Sequence, residues 1–210
     1  MEKLDTSLLN RISYGVSASS LSDLGENIFN VSTSILVLIL LSPVLVVASL
    51  MILFFTGYPI LYRQERIGQN GTTFVLYKFR TMYNGSDPLT PTQVHDKRVT
   101  VVGRFIRKYY IDELPQLVNV IKRDMNLIGP RPERPNFVEL FRKNIKGYDS
   151  RHSIKPGITG WQQVNISYAF EDVRKKQRLD MYYIKNKSFL FDARILVRTL
   201  VTVLNGKGRY

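Results

Sequence analysis

Residues Ile35 to Phe55 read ILVLILLSPVLVVASLMILFF, and the way these 21 residues sit decides the fold. Nothing in the run is more polar than Ser42 and Ser49, and no charged residue occurs from Asn27 to Tyr62. A spanning helix needs about 20 apolar residues, so one ordinary transmembrane helix is the simplest reading. Pro43 lies near the centre of the run, lacks a backbone N–H and clashes with the preceding turn, so a kink belongs there. Prolines do occur in true spanning helices. A sharp enough kink at Ser42-Pro43 instead turns the segment back toward the face it entered, provided Ser42 or nearby protein satisfies the freed carbonyls. On local sequence alone the span, straight or kinked, is preferred.

Upstream, Met1 to Glu26 is polar, Ser-rich and carries a net charge of −2, which suggests a poorly ordered leader or a short surface helix. It lacks the basic start of a secretory signal, and the apolar run that follows begins too late and runs too long for one. The whole chain carries +13, so everything after the leader carries +15, which places the C-terminal part on the cytoplasmic side. Such a surplus favours polyanionic partners: nucleic acid, an anionic membrane face or phosphate-bearing substrates. Cysteine is absent, and His95 and His152 are far apart in sequence, so any metal should be bound mainly by oxygen.

Downstream, YPILYRQERIGQNGTTFVLYKFRTM holds two β-prone runs around Gly68-Gln69-Asn70-Gly71, the pattern of a hairpin ending in the basic pair Lys78 and Arg80. Asn84 to Arg98, with Pro88 and Pro91, reads as a loop able to move over a site. Val101 to Ile121 has helical spacing, with Ile106, Tyr109 or Tyr110, Leu114, Leu117, Val118 and Ile121 as the buried stripe. Pro115 must distort or restart that helix. A restart near Asp112 puts its carboxylate at a helix N-terminus. Met125 to Pro135 reads as a Pro-rich loop, KPGITG as a Gly/Pro turn, and residues 170–185 and 189–204 as basic amphipathic stretches. In the last of these Arg194 and Arg198 share a face, and the apolar face fits either a membrane interface or the core.

Asp112 and Glu113 are adjacent acids just before a Pro, and alone such a pair more often starts a helix than catalyses. The cations around them change that balance: Arg107 lies five residues upstream, and Arg131 is fixed between Pro130 and Pro132. A carboxylate that attacks phosphorus must stay ionised beside an anionic substrate, which requires Mg²⁺ or Arg/Lys to neutralise the phosphate oxygens. The flanking prolines hold the Arg131 backbone extended, so its guanidinium is presented for bidentate contact at little ordering cost.

With SPV in the apolar run, QERIGQNG, YKFRTM, RKYYIDELPQLVNVIKRDMNLIGPRPE, KPGITGWQQVN and LDMYYIKNKSFLFDARILVRTL in that order, the chain resembles the bacterial sugar transferases. These are monotopic phosphoglycosyl transferases that act on polyprenyl phosphate, and the resemblance covers roughly Phe29 to Leu204. It implies an α+β fold: a re-entrant membrane helix hairpin over residues 27–58, broken at Ser42-Pro43, after a variable leader, 1–26. A compact, mostly helical cytoplasmic domain, 59–210, follows, with a small β-hairpin and interfacial amphipathic helices. That path overrules the locally preferred span and places the enzyme on the cytoplasmic face of the inner membrane.

The resemblance further implies that Asp112 attacks the phosphate next to the sugar of a UDP-sugar, releases UMP and holds the phospho-sugar covalently until polyprenyl (undecaprenyl) phosphate attacks it. Glu113 completes the acidic dyad and, with Asp112, holds Mg²⁺; Lys78 and Arg107 contact phosphate; Asp192 is a further functional acid. Arg80 and Arg131 are added as substrate contacts, and Lys155 to Trp161, including Gly157 and Thr159, as a turn near the nucleotide. For Trp161 the alternatives to that place are core packing or a seat at the membrane interface.

One departure stands out: where many members read QVNGR, this chain reads Gln163-Val164-Asn165-Ile166-Ser167, so Ser167 replaces an Arg that Arg174 could stand in for. The partners implied are the UDP-sugar, polyprenyl phosphate, the phospholipid membrane and downstream glycosyltransferases, with no nucleic acid. Two other classes fit parts of the pattern. A membrane-tethered nucleic-acid binder explains the charge but needs no acidic dyad. A metal-dependent phosphoesterase shares the acids and cations but hands the phosphate to water.

Overall fold

The computed structural model describes residues 6–206 except 88–89, 91–92, 94–95 and 167–172, with side chains from Asp23 onward. His95, Pro88, Pro91 and the substituted position Ser167 fall outside the described residues.

Helix α1 runs from Thr6 to Leu40 and helix α2 from Ser42 to Thr56, with Leu41 between them. The break has a local cause. Pro43 enters at the first turn of α2, where its missing N–H leaves no bond unmade. The Ser42 hydroxyl donates to the carbonyl of Ile39 at 2.8 Å, the acceptor that a residue at position 43 with an N–H would have bonded. Asp23–Leu40 is long and apolar enough to cross a bilayer by length and composition. The leader is more regular than the sequence suggests, because α1 passes without interruption through the expected boundary at residue 26. Glu26 also ion-pairs with Lys187 at 2.6 Å and accepts from Asn126, and Asn30 accepts from the backbone N–H of Leu127.

Strands β1 (Leu61–Ile67) and β2 (Thr73–Phe79) form the expected antiparallel hairpin, with Tyr62 opposite Lys78. The helix expected over Val101–Ile121 divides into α3 (Val101–Lys108), a 3-10 turn (Ile111–Gln116) and α4 (Leu117–Ile121). Pro115 accounts for only part of this. Tyr110 takes a left-handed conformation, φ 56°, and ends the helical path two residues before Asp112. Of the expected stripe, Ile106 and Leu117 are buried, whereas Val118 faces outward.

The stretch read as a Pro-rich loop contains strand β3 (Asn126–Ile128), and the KPGITG turn is instead strand β4 (Gly157–Thr159), paired in parallel with β3. The backbones approach so closely that a Cβ on Gly157 would lie 2.0 Å from the Gly129 nitrogen. Between them lies α5 (Pro135–Asn144), and after β4 come α6 (Trp161–Asn165), α7 (Val173–Asn186) and α8 (Phe189–Leu204). The fold is therefore α+β, mostly helical with small sheets.

Two packing contacts hold the site in place. Ala48 and Ile52 of α2 pack with Phe79, Val102 and Ile106, so the apolar N-terminal region is seated on β2 and α3. On the other side, Ile128 packs with Tyr183 and Ile195, joining β3 to α7 and α8. Burying side chains of this size contributes roughly 1.5–3 kcal/mol each, so these contacts bind the elements rather than merely touch them.

Candidate active site

The 3-10 turn carrying Asp112 and Glu113 lies against β2, and Asn119 is the residue that fixes it there. Fully buried on α4, Asn119 accepts from the Tyr77 backbone N–H at 3.1 Å and donates to the Val75 carbonyl at 2.7 Å, supplying the partners that the open edge of β2 lacks. Lys78, next along β2, then reaches Glu113: Nζ to Oε1 is 2.7 Å. From the loop after β3, Arg131 grips the same carboxylate with two N–H groups, at 2.7 and 3.3 Å. Glu113 is thus the common anion of two cations from separate elements.

Asp112 is different. It is buried, and among the described residues no hydrogen bond or ion pair ends on its carboxylate, although Lys78, Arg107 and Arg131 all act on it through space. Burial pushes its carboxyl up to about 6, against the pull of Lys78 and the arginines and with the help of the like charge on Glu113. For Glu113 burial also opposes the charge, but Arg131 and Lys78 together overcome it and hold the carboxyl well below the usual carboxylate range. Two adjacent acids are therefore driven apart in acidity by their surroundings. One is a fixed counter-ion and the other an unengaged buried carboxylate.

Arg107 donates from Nε to the Thr81 hydroxyl at 2.8 Å. Thr81 was not singled out from sequence, and its position depends on Gly103, where a Cβ would sit 2.1 Å from the Thr81 carbonyl oxygen. That glycine lets α3 close onto the end of the hairpin, with the Thr100 side chain capping the helix by accepting from the Gly103 N–H.

The structure gathers Asp112, Glu113, Lys78, Arg107 and Arg131 into one group and places the other expected residues elsewhere. Arg80 is buried and spent on the end of α2, donating to the carbonyls of Thr56 at 2.6 Å, Tyr58 at 2.7 Å and Gly57. It satisfies carbonyls that the C-terminus of α2 leaves without an intrahelical partner, which is a different task from holding substrate. Gly157 serves the β3–β4 approach, and the Thr159 hydroxyl bonds that of Thr199 on α8 at 2.7 Å. Asp192 accepts from the Tyr183 hydroxyl at 2.8 Å, and burial raises its carboxyl. Trp161 packs edge-on to Phe191.

A second buried pair also went unnoticed in the sequence. Arg151 bonds Asp180 at 2.7 Å, both nearly inaccessible, and a further N–H of Arg151 donates to the Arg131 carbonyl. Neither residue has a local motif around it that signals the pairing.

For a divalent cation the donor set is small. Among the described residues no three His, Cys, Asp or Glu side chains gather. Mg²⁺ commonly takes only one or two carboxylates and completes its shell with water and substrate phosphate, so the unengaged Asp112 carboxylate beside Glu113 fits that ion.

The sequence model of one family, described as bacterial sugar transferase, matches residues 21–206. The chain belongs to the bacterial sugar transferase family. Among members of this sugar transferase family, it is 42% identical over 183 residues to a UDP-N-acetylgalactosamine-undecaprenyl-phosphate N-acetylgalactosaminephosphotransferase of Aeromonas hydrophila, covering 85% of this chain and 43% of that protein. It is 38% identical to the uncharacterized sugar transferase EpsL of Bacillus subtilis, over 87% of this chain and 89% of that one. With a UDP-glucose:undecaprenyl-phosphate glucose-1-phosphate transferase of Escherichia coli it shares 35% identity over 94% of this chain and 44% of the relative. The chain thus spans less than half the length of two of these sugar transferases and nearly all of the third.

Proposed function

We propose that the chain transfers a sugar 1-phosphate from a UDP-sugar to undecaprenyl phosphate and releases UMP, as the first membrane step in building a bacterial glycan such as an exopolysaccharide. One observation carries this reading: a buried carboxylate, Asp112, stands without a hydrogen-bond partner among three cations while its neighbour Glu113 is paired with Lys78 and Arg131. The names of the relatives, which act between UDP-sugars and undecaprenyl phosphate, agree with it.

In the proposed course, an oxygen of Asp112 attacks the phosphorus bonded to the sugar oxygen. The bond from that phosphorus to the bridging oxygen breaks, UMP leaves with the electron pair, and the sugar phosphate is held as an acyl phosphate on Asp112. An oxygen of the lipid phosphate then attacks the same phosphorus and frees the carboxylate, leaving a lipid diphosphate sugar. Lys78, Arg107 and Arg131 offset the charge that gathers on the phosphate oxygens in both steps, in a site where burial makes each contact stronger than in water. Mg²⁺ held by Asp112 and Glu113 would supply further charge neutralisation to the diphosphate.

The membrane arrangement proposed is re-entrant, with the catalytic part on the cytoplasmic face of the inner membrane. The helix break at Leu41 and the seating of Ala48 and Ile52 on α3 support it, since α2 returns to the body that α1 leaves.

The test is UMP release from a panel of UDP-sugars by the purified membrane protein with Mg²⁺, with and without undecaprenyl phosphate. Lipid-dependent UMP from one sugar is expected, with the sugar phosphate recovered on lipid. Free sugar phosphate in place of the lipid product would instead make the protein a hydrolase.

A further inference from the structure

Helix α8 presents an apolar face that nothing among the described residues covers. Phe189, Leu190, Val197, Leu200, Val201 and Leu204 are all exposed, with Leu190 and Leu204 about four-fifths accessible, at 80% and 81%. At about 100° per residue these six fall within one third of the helix circumference, so they form a single stripe. The opposite side, through Ile195 and Phe191, is the part that packs into the domain. The core thus takes one face of α8 and leaves this one free.

Beyond one border of the stripe, by about 20° and about 60° around the helix, stand Arg194 and Arg198, a helical turn apart, both stacked on the indole of Trp161 at 5.6 and 4.9 Å from the ring centre. Arg198 is also oriented by the Asn165 side chain, which accepts from it at 3.1 Å. Two guanidiniums ordered over one ring, beside an exposed apolar surface, have the paired N–H donors that a phosphodiester can accept from. Their level relative to the membrane is set by a separate contact. Lys187, two residues before α8, ion-pairs with Glu26, the last charged residue of α1 before the charge-free run begins at Asn27. The start of α8 therefore lies where α1 turns apolar, which is where the membrane placement proposed above puts the boundary between water and lipid.

With α8 an interfacial helix, as the family resemblance implies, we propose that Arg194 and Arg198, held on Trp161 beside its exposed stripe, bind the phosphodiester headgroup of an acidic phospholipid. The occupant follows from the combination of stripe and charge: an apolar partner protein would not need two cations beside the stripe, and a soluble phosphate would not need the stripe. The inference rests on the membrane placement proposed above, though not on the transfer reaction.

Trp161 is the only tryptophan in the chain, so its fluorescence reports on this site alone. The full chain is reconstituted into vesicles containing equal fractions of either dibrominated phosphatidylglycerol or dibrominated phosphatidylcholine, the bromines serving as contact quenchers. Two basic residues near the surface should enrich acidic lipid locally by about 30-fold. Quenching should be clearly stronger with the brominated acidic lipid, and the preference should weaken with salt. Arg194→Gln with Arg198→Gln should equalise the two lipids while quenching persists, and Arg194→Lys with Arg198→Lys should keep much of the preference.

Equal quenching by both lipids in the unaltered chain would overturn the headgroup site, as would a preference that survives the glutamine pair. No quenching by either lipid, in a chain that floats with the vesicles, would remove α8 from the bilayer. A chain that fails to float at all would defeat the membrane placement itself.

Discussion

The Nη2 of Arg151 donates both to the backbone carbonyl of Arg131 at 2.9 Å and to Asp180 at 2.7 Å, so a buried ion pair fixes the backbone from which Arg131 reaches Glu113. Breaking one member of such a pair typically costs about 3–5 kcal/mol, because a charge is left buried without its partner. Asp180→Asn should therefore lower the melting temperature sharply. Replacing both residues, Arg151→Met with Asp180→Leu, should recover much of that stability but not the turnover, since the Arg131 carbonyl is no longer held. Recovery of kcat along with stability would show that the pair serves folding alone.

Asp112→Asn should abolish the covalent phospho-sugar adduct seen by intact-protein mass spectrometry, with turnover down by at least about 10³-fold, the scale on which removal of a nucleophile acts. Substantial turnover by this variant would remove Asp112 from the role of nucleophile.

Asp112 must be ionised to attack, and burial sets its carboxyl at about 6. The rate should fall as pH drops through that value, giving an acid limb in kcat/KM near pH 6. Lys78 is the foremost charge pulling the value down, so the residual activity of Lys78→Met should show the limb moved to higher pH. A limb that stays in place would mean that Lys78 does not govern the ionisation of Asp112.

Arg80→Ala should leave KM for the nucleotide sugar unchanged yet destabilise the protein. The carbonyls of Thr56, Gly57 and Tyr58 lose a charged donor, and a hydrogen bond to a charged group contributes about 1.5–3 kcal/mol. A raised KM with an unaltered melting temperature would return Arg80 to the substrate site.

How far the sequence spoke for itself depends on the range over which each feature is encoded. Pro43 announces the helix break because its effect is confined to one turn, and Gly68 to Gly71 announces the hairpin for the same reason. Asp112, Glu113, Arg107 and Arg131 stood out because they crowd into 25 residues, and Lys78 because the family motif marked it. Contacts between distant segments left no such trace. The parallel pair of β3 and β4 has three residues per strand, too few for any periodicity to show, and joins positions about 30 apart in sequence. Arg80 reads as one more cation beside Lys78 until α2 is seen ending on it. Asp192 lies in a family motif, but its geometry here joins it to Tyr183.

The grip of Lys78 and Arg131 on Glu113 has a further meaning in entropy. A free lysine or arginine side chain loses up to about 2 kcal/mol of rotamer freedom when it is ordered. In this site that loss is incurred once, as the chain folds, because Glu113 already holds both cations in place. A diphosphate arriving at the site finds them still, and little of its binding energy is diverted to bringing them to rest.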